Sequence, residues 1–211
     1  MHILAVISLF IITSWVGYGI YSNRQVGMEL KGVLWFALIF STWYNVNHNP
    51  HLVLWLCNIT CLIAIYLTVR FHQRLFDIFF FLVWSGDLFT LLIIDNPVCP
   101  PLKTASIYWL AFYLKHVGPI LFTLYLIIRK NKRVRKTGLK DALSFMFSYA
   151  IIIFIYDIMF NQNILDLMEP TLDIERMFGP WPIYVIVNIL LAILWFWGIQ
   201  VVGMRIGIVK K

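Results

Sequence analysis

Seven apolar runs, each near the length of a bilayer crossing, dominate this sequence. A helix needs about 20 apolar residues to span the hydrocarbon core at 1.5 Å per residue. Candidates fall at residues 3–21, 32–47, 51–69, 75–94, 105–128, 139–160 and 182–204. Between the second and third lie only Asn47, His48, Asn49 and Pro50, and Pro50 supplies the break because proline cannot continue a helix ladder. The other connections are short as well, and no soluble domain is inserted. The expectation is an all-α polytopic bundle of about seven transmembrane helices, forming one integral membrane domain over residues 1–211.

Composition agrees with that reading. Of 211 residues, 61% are hydrophobic and 13% charged, with a mean hydropathy of +0.82. A soluble domain carries about 25% charged residues and has no means of hiding so much apolar surface. The first run has no basic segment before it and no small-x-small cleavage site, so it reads as a retained helix rather than a signal peptide. Three cysteines allow at most one bridge and do not form a disulfide framework.

A net charge of +7 would suggest nucleic acid in a soluble chain. Here its distribution matters more, and no nucleic-acid partner is expected. The odd-numbered connections and the C-terminal end hold 14 of the 17 basic residues, among them Arg24, Lys31, Arg70, Arg74 and Lys211. Seven of the 14 lie between Arg129 and Lys140. The even connections hold two, Lys103 and Arg176, and Lys115 falls inside a helix. Basic residues favour the cytoplasmic side. The asymmetry therefore predicts an N-terminus outside and a C-terminus in the cytoplasm of a multi-pass cell-membrane protein. The run at 129–140 reads as an anchor to anionic lipid.

Ionisable side chains at bilayer depth cost about 2.5–3.5 kcal/mol each by insertion scales, which makes them functional candidates. Cys57 and Asn58 fall on the third helix, Asp87 on the fourth, Lys115 and His116 on the fifth, Asp157 on the sixth and Asn188 on the seventh. All lie in the extracytoplasmic half by helical rise, which suggests a polar cavity there. Simpler roles compete: a buried cysteine is usually a small hydrophobe, and Asp87 with Lys115 would make an ion pair between helices. Cys57 and Cys61 lack further ligands at zinc spacing, so no metal is expected.

The segments Leu54-Trp55-Leu56-Cys57-Asn58, Tyr113-Leu114-Lys115-His116-Val117-Gly118 and Phe178-Gly179-Pro180-Trp181-Pro182 together carry a resemblance. Over residues from about 50 to 200 the chain resembles the transmembrane-protein-164 family, including its small bacterial members. The Gly-Pro-Trp-Pro lead-in to the last helix is the most distinctive part. The family's bacterial members usually have histidine where this chain has Trp55, and a small polar residue where it has Lys115.

The resemblance implies a membrane acyltransferase. The family is distantly similar to the androgen-induced membrane hydrolases of fatty-acid esters, in which a threonine nucleophile works with a histidine. Carried over, it makes Cys57 the nucleophile and His116 the base, acting on a phospholipid or other acyl lipid through a thioester. Asn58 and Asn163 become candidate oxyanion donors. Asp87, Lys115 and Trp181 become candidate substrate-binding positions, with Lys115 either paired to Asp87 or holding lipid phosphate. No cofactor is implied. The intramembrane Asp87, Lys115 and Asp157 also suit a small transporter or channel, although the seven runs show no paired halves. A non-catalytic scaffold is the remaining alternative.

Overall fold

A computed structural model describes residues 2–22, 26–92, 99–171 and 173–210. Arg24, Lys211 and the last two residues of the expected fourth helix lie outside these. The described chain is helical, with seven long helices. They are α1 (His2–Tyr21), α2 (Gly27–His48), α3 (Leu56–Val69), α4 (Gln73–Leu92), α5 (Ser106–Ile128), α6 (Gly138–Phe160) and α7 (Ile183–Arg205). Four of them, α4, α5, α6 and α7, are long and apolar enough to cross a membrane, while Val6–Tyr21 and Leu56–Val69 are shorter apolar segments.

The chain winds around α5. This helix packs against α1, α2, α3 and α4. Two-thirds of its apolar window (67%) is buried inside the protein, against 11% for α6 and for α7. The last two helices therefore present most of their Ile, Leu and Phe side chains outward, as a lipid solvent permits and water does not. α5 also contains Pro119, which has no N–H to give the carbonyl of Lys115. Gly118 lets α2 come close at this level, since a Cβ there would meet Leu34 at 3.1 Å.

The expected continuous helix over 51–69 is a correction. Pro50–Leu54 is a 3₁₀ turn, Trp55 is extended (φ −63°, ψ 142°), and the α-helix begins only at Leu56. Asn49 accepts the His51 N–H at 3.1 Å and opens the 3₁₀ turn. The side-chain amide of Asn58 closes it, donating to the carbonyls of Leu52 (2.8 Å) and Val53 (3.1 Å). Those two carbonyls would receive the N–H groups of Leu56 and Cys57 in an uninterrupted helix. Asn58 replaces them and makes residue 56 a helix start. Together the 3₁₀ turn and α3 still reach about 30 Å, taking 2.0 and 1.5 Å per residue.

The fourth helix is also interrupted. Val83–Asp87 forms a π-turn between two α-helical stretches. Ser85 occupies the slack, its hydroxyl donating to the carbonyls of Phe81 (2.8 Å) and Leu82 (3.2 Å).

The odd connections gather at one end of the bundle. The Arg129 guanidinium donates to the Tyr21 carbonyl, and Arg74 pairs with Asp141 at 3.0 Å. Val134 bridges to Val209 in parallel. Buried Asp77 receives the Arg135 side chain at 2.5 Å and its backbone N–H at 3.1 Å. The basic segment is thus partly a structural clamp, which the reading of it as a lipid anchor did not anticipate. At the opposite end His51 meets Tyr156 at 2.7 Å.

Candidate functional site

The helix start at Leu56 fixes the site. Cys57 lies in the first turn of α3, where backbone N–H groups lack intrahelical acceptors and the helix dipole is positive. Its thiol is half-buried. Cys57 is followed by buried Asn58, which links it to α5 through Lys115. Lys115 itself is 2% exposed, donates to the Asn58 side-chain oxygen at 3.1 Å and lies 5.5 Å from the Phe112 ring centre. Asn58 therefore serves both neighbours: its nitrogen shapes the break before Cys57 and its oxygen holds Lys115.

The expected Lys115–Asp87 ion pair gives way to a different partnership. Asp87, at the end of the π-turn, takes His116 instead, with Oδ1 2.8 Å from Nδ1 and both groups buried. The π-turn is the physical reason. An extra residue in one helical turn shifts the side chains that follow it around the helix axis, and Asp87 closes that turn. Pairing through Nδ1 leaves Nε2 of His116 buried without a partner among the described residues, as is the second oxygen of Asp87. A neutral imidazole donating from Nδ1 keeps its Nε2 lone pair free to accept a proton. Phe112 holds the ring edge-on at a centroid distance of 4.9 Å.

Other candidates separate from this cluster. The Cys61 thiol, wholly buried, points to the Leu34 carbonyl at 3.7 Å and ties α3 to α2. Cys57, Cys61 and Cys99 are all free thiols. The Asn163 amide is committed to the loop after α6: its nitrogen donates to the Glu169 carbonyl at 2.7 Å and its oxygen accepts from Met168 and Glu169. Trp181 is 57% exposed, donates to the Leu167 carbonyl at 3.1 Å and lines an apolar groove of about 340 Å³ between α6 and α7. Asp157 accepts the Ile164 N–H with both oxygens at 3.1 Å, and Asn188 donates to Glu175 at 2.9 Å. These four groups organise the 161–182 connection rather than the Cys57 surroundings.

Sequence reasoning missed two neighbours. The indole nitrogen of Trp55, the residue that ends the 3₁₀ turn, is buried without a partner among the described residues. Tyr149 reaches from α6 to donate to the Leu54 carbonyl, three residues before Cys57. Nothing in the spacing of α6 marks Tyr149. The run Trp84-Ser85-Gly86-Asp87 did carry a signal for the π-turn, because serine and glycine are weak helix formers at mid-helix.

A lipid-facing helical bundle that holds a half-buried Cys57 next to buried Asn58 and Lys115 and encloses a buried Asp87–His116 pair defines a polytopic membrane protein with a polar interior site. The chain belongs to the TMEM164 family, whose model matches residues 1–199. That match takes in α1 and α2, which the sequence resemblance did not reach. No curated protein matches the chain, and no solved structure does.

Proposed function

We propose that this protein is a membrane-embedded acyltransferase that moves a fatty acyl group from a lipid ester through a thioester on Cys57. The observation that carries the reading is the hydrogen bond from Lys115 to Asn58, the residue after Cys57, together with an Asp87–His116 pair whose Nε2 is without a partner among the described residues. Its resemblance to ester-cleaving membrane enzymes supplies the reaction class.

In this mechanism the thiol gives its proton to Nε2 of His116, and the sulfur attacks the ester carbonyl carbon. Asp87 holds the ring and balances the imidazolium that forms. The ammonium of Lys115 and the first N–H groups of α3 face the sulfur and the developing oxyanion, which needs fixed donors. Collapse breaks the ester C–O bond. His116 returns the proton to the leaving lysolipid alcohol, and an acylated Cys57 remains. A hydroxyl of a second lipid then attacks the thioester, gives its proton to His116 and releases the thiolate. Water as acceptor would make the same site a hydrolase.

All seven helices cross the membrane in this reading, with α3 completed by its 3₁₀ turn. The end rich in basic residues faces the cytoplasm, which puts the N-terminus outside and the Cys57 cluster in the outer half of a cell membrane. Phospholipid enters from the outer leaflet.

The test is acyl transfer between labelled phospholipid and lysolipid by purified protein in liposomes. Cys57→Ala and His116→Ala each abolish transfer while retaining helix content, and mass spectrometry finds an acyl adduct on Cys57 of the wild type. Full transfer by Cys57→Ala would falsify the mechanism.

A further inference from the structure

A second cavity opens at the far end of α3 from Cys57, about 18 Å away along the helix at 1.5 Å per residue. Its volume is about 590 Å³, and it lies between the start of α2, the end of α3 and the end of α5. Three lysines line it: Lys31 from α2, and Lys130 and Lys132 from the segment after α5. Its walls include Leu67, Phe71, Phe122 and Leu126. Among the described residues lining it, none is acidic.

Two of the lysines are held in place. The Lys132 ammonium lies 4.1 Å from the Phe71 ring centre, and that of Lys130 lies 5.6 Å from the Tyr125 ring. Aromatic faces attract cations and fix their position without neutralising them. The Tyr125 hydroxyl rests against Gly27, where a Cβ would stand 3.4 Å away. Neighbouring guanidiniums are used differently. Arg135 pairs with Asp77 and Asp141, and Arg133 donates to the carbonyls of Ile127 and Lys132. Among the described residues, no carboxylate forms an ion pair with Lys31, Lys130 or Lys132.

Cationic rim and apolar wall together select the ligand. A small anion has no use for Phe71 and Phe122, and an acyl chain has none for three ammonium groups. We infer that this cavity binds a phosphate-bearing amphiphile, with its phosphate among Lys31, Lys130 and Lys132 and the start of its apolar chain against Phe71 and Phe122. A phospholipid at headgroup depth meets that description, since the cavity lies where three helices end. The site is separate from the Cys57 cluster, and acyl transfer is not needed to test it.

The experiment is native mass spectrometry of the full chain in neutral detergent, titrated with dioleoyl phosphatidic acid. The wild type retains the lipid. A Lys31→Gln/Lys130→Gln/Lys132→Gln variant retains at least tenfold less at the same concentration. Lys136→Gln/Lys140→Gln, which removes exposed charges of the same basic run outside the cavity, retains it as the wild type does. Thr68→Trp, which fills the cavity and keeps the lysines, also loses the lipid, and inorganic phosphate at equal concentration does not displace it. Circular dichroism establishes that each variant keeps its helix content. Equal loss in both lysine variants, or unchanged retention in the first, overturns the inference. Displacement by inorganic phosphate with Thr68→Trp unaffected also overturns it, and identifies a site for free anions.

Discussion

His116 Nδ1 lies 2.8 Å from Asp87 Oδ1, and both side chains are buried. The pair joins α5 to the π-turn of α4 and leaves one imidazole nitrogen for chemistry. Asp87→Asn keeps an acceptor of the same shape but removes the charge that stabilises the imidazolium. Acyl transfer by that variant in liposomes should fall by about 10²-fold or more, the usual scale of acid–base assistance. An unchanged rate would leave Asp87 with a structural role only.

Asn58 makes three hydrogen bonds, to the carbonyls of Leu52 and Val53 and from the Lys115 ammonium. Asn58→Ala removes the partner of the Val53 carbonyl and of the Lys115 ammonium, while the Leu52 carbonyl keeps the Trp55 N–H at 3.1 Å. We expect a loss of about 1–3 kcal/mol of stability, the scale for an orphaned buried polar group. Thermal unfolding in detergent measures it. Labelling of Cys57 by a maleimide should change in the same variant, because the break before α3 depends on this amide.

Asp166 lies in the connection between α6 and α7. Burial pushes its carboxyl up from an ordinary 3.8 to about 6, against a hydrogen bond from Thr171 that acts the other way. The folded protein therefore holds this proton more tightly than the unfolded chain does. Linkage then makes this group's contribution fall as pH rises from about 4 to about 6. Asp166→Asn keeps the acceptor for Thr171 and removes the titration, so its unfolding temperature should decline less across that window. A parallel pH profile in the two proteins would contradict the assignment.

Gly138 begins α6 at the basic end, where an added Cβ would stand 2.7 Å from Val134 and 3.2 Å from Asp77. Gly138→Ala should destabilise by about 1–3 kcal/mol through overpacking. Gly32 and Gly198 have open space at the same position. Alanine at either should be neutral or stabilising by up to about 1 kcal/mol from helix propensity. Comparing midpoints of thermal unfolding separates the two classes.

The apolar runs were enough to determine seven helices and most of their ends, because helix formation in an apolar chain is a local matter of hydrogen bonding and length. The charge pattern also anticipated which connections share an end of the bundle. Local pattern misjudged residues 51–69, where an amide side chain outcompetes the helix for two carbonyls. It named Cys57, Asn58, Asp87, Lys115 and His116 as candidates but assigned Lys115 to Asp87 or to lipid phosphate. Only the tertiary structure decided that Asp87 takes His116 and that Lys115 turns to Asn58. Those partners lie 29 and 57 residues apart for the two hydrogen bonds. Such choices depend on how each helix is rotated about its axis. The π-turn in α4 and the late start of α3 set that rotation, and neither follows from hydropathy.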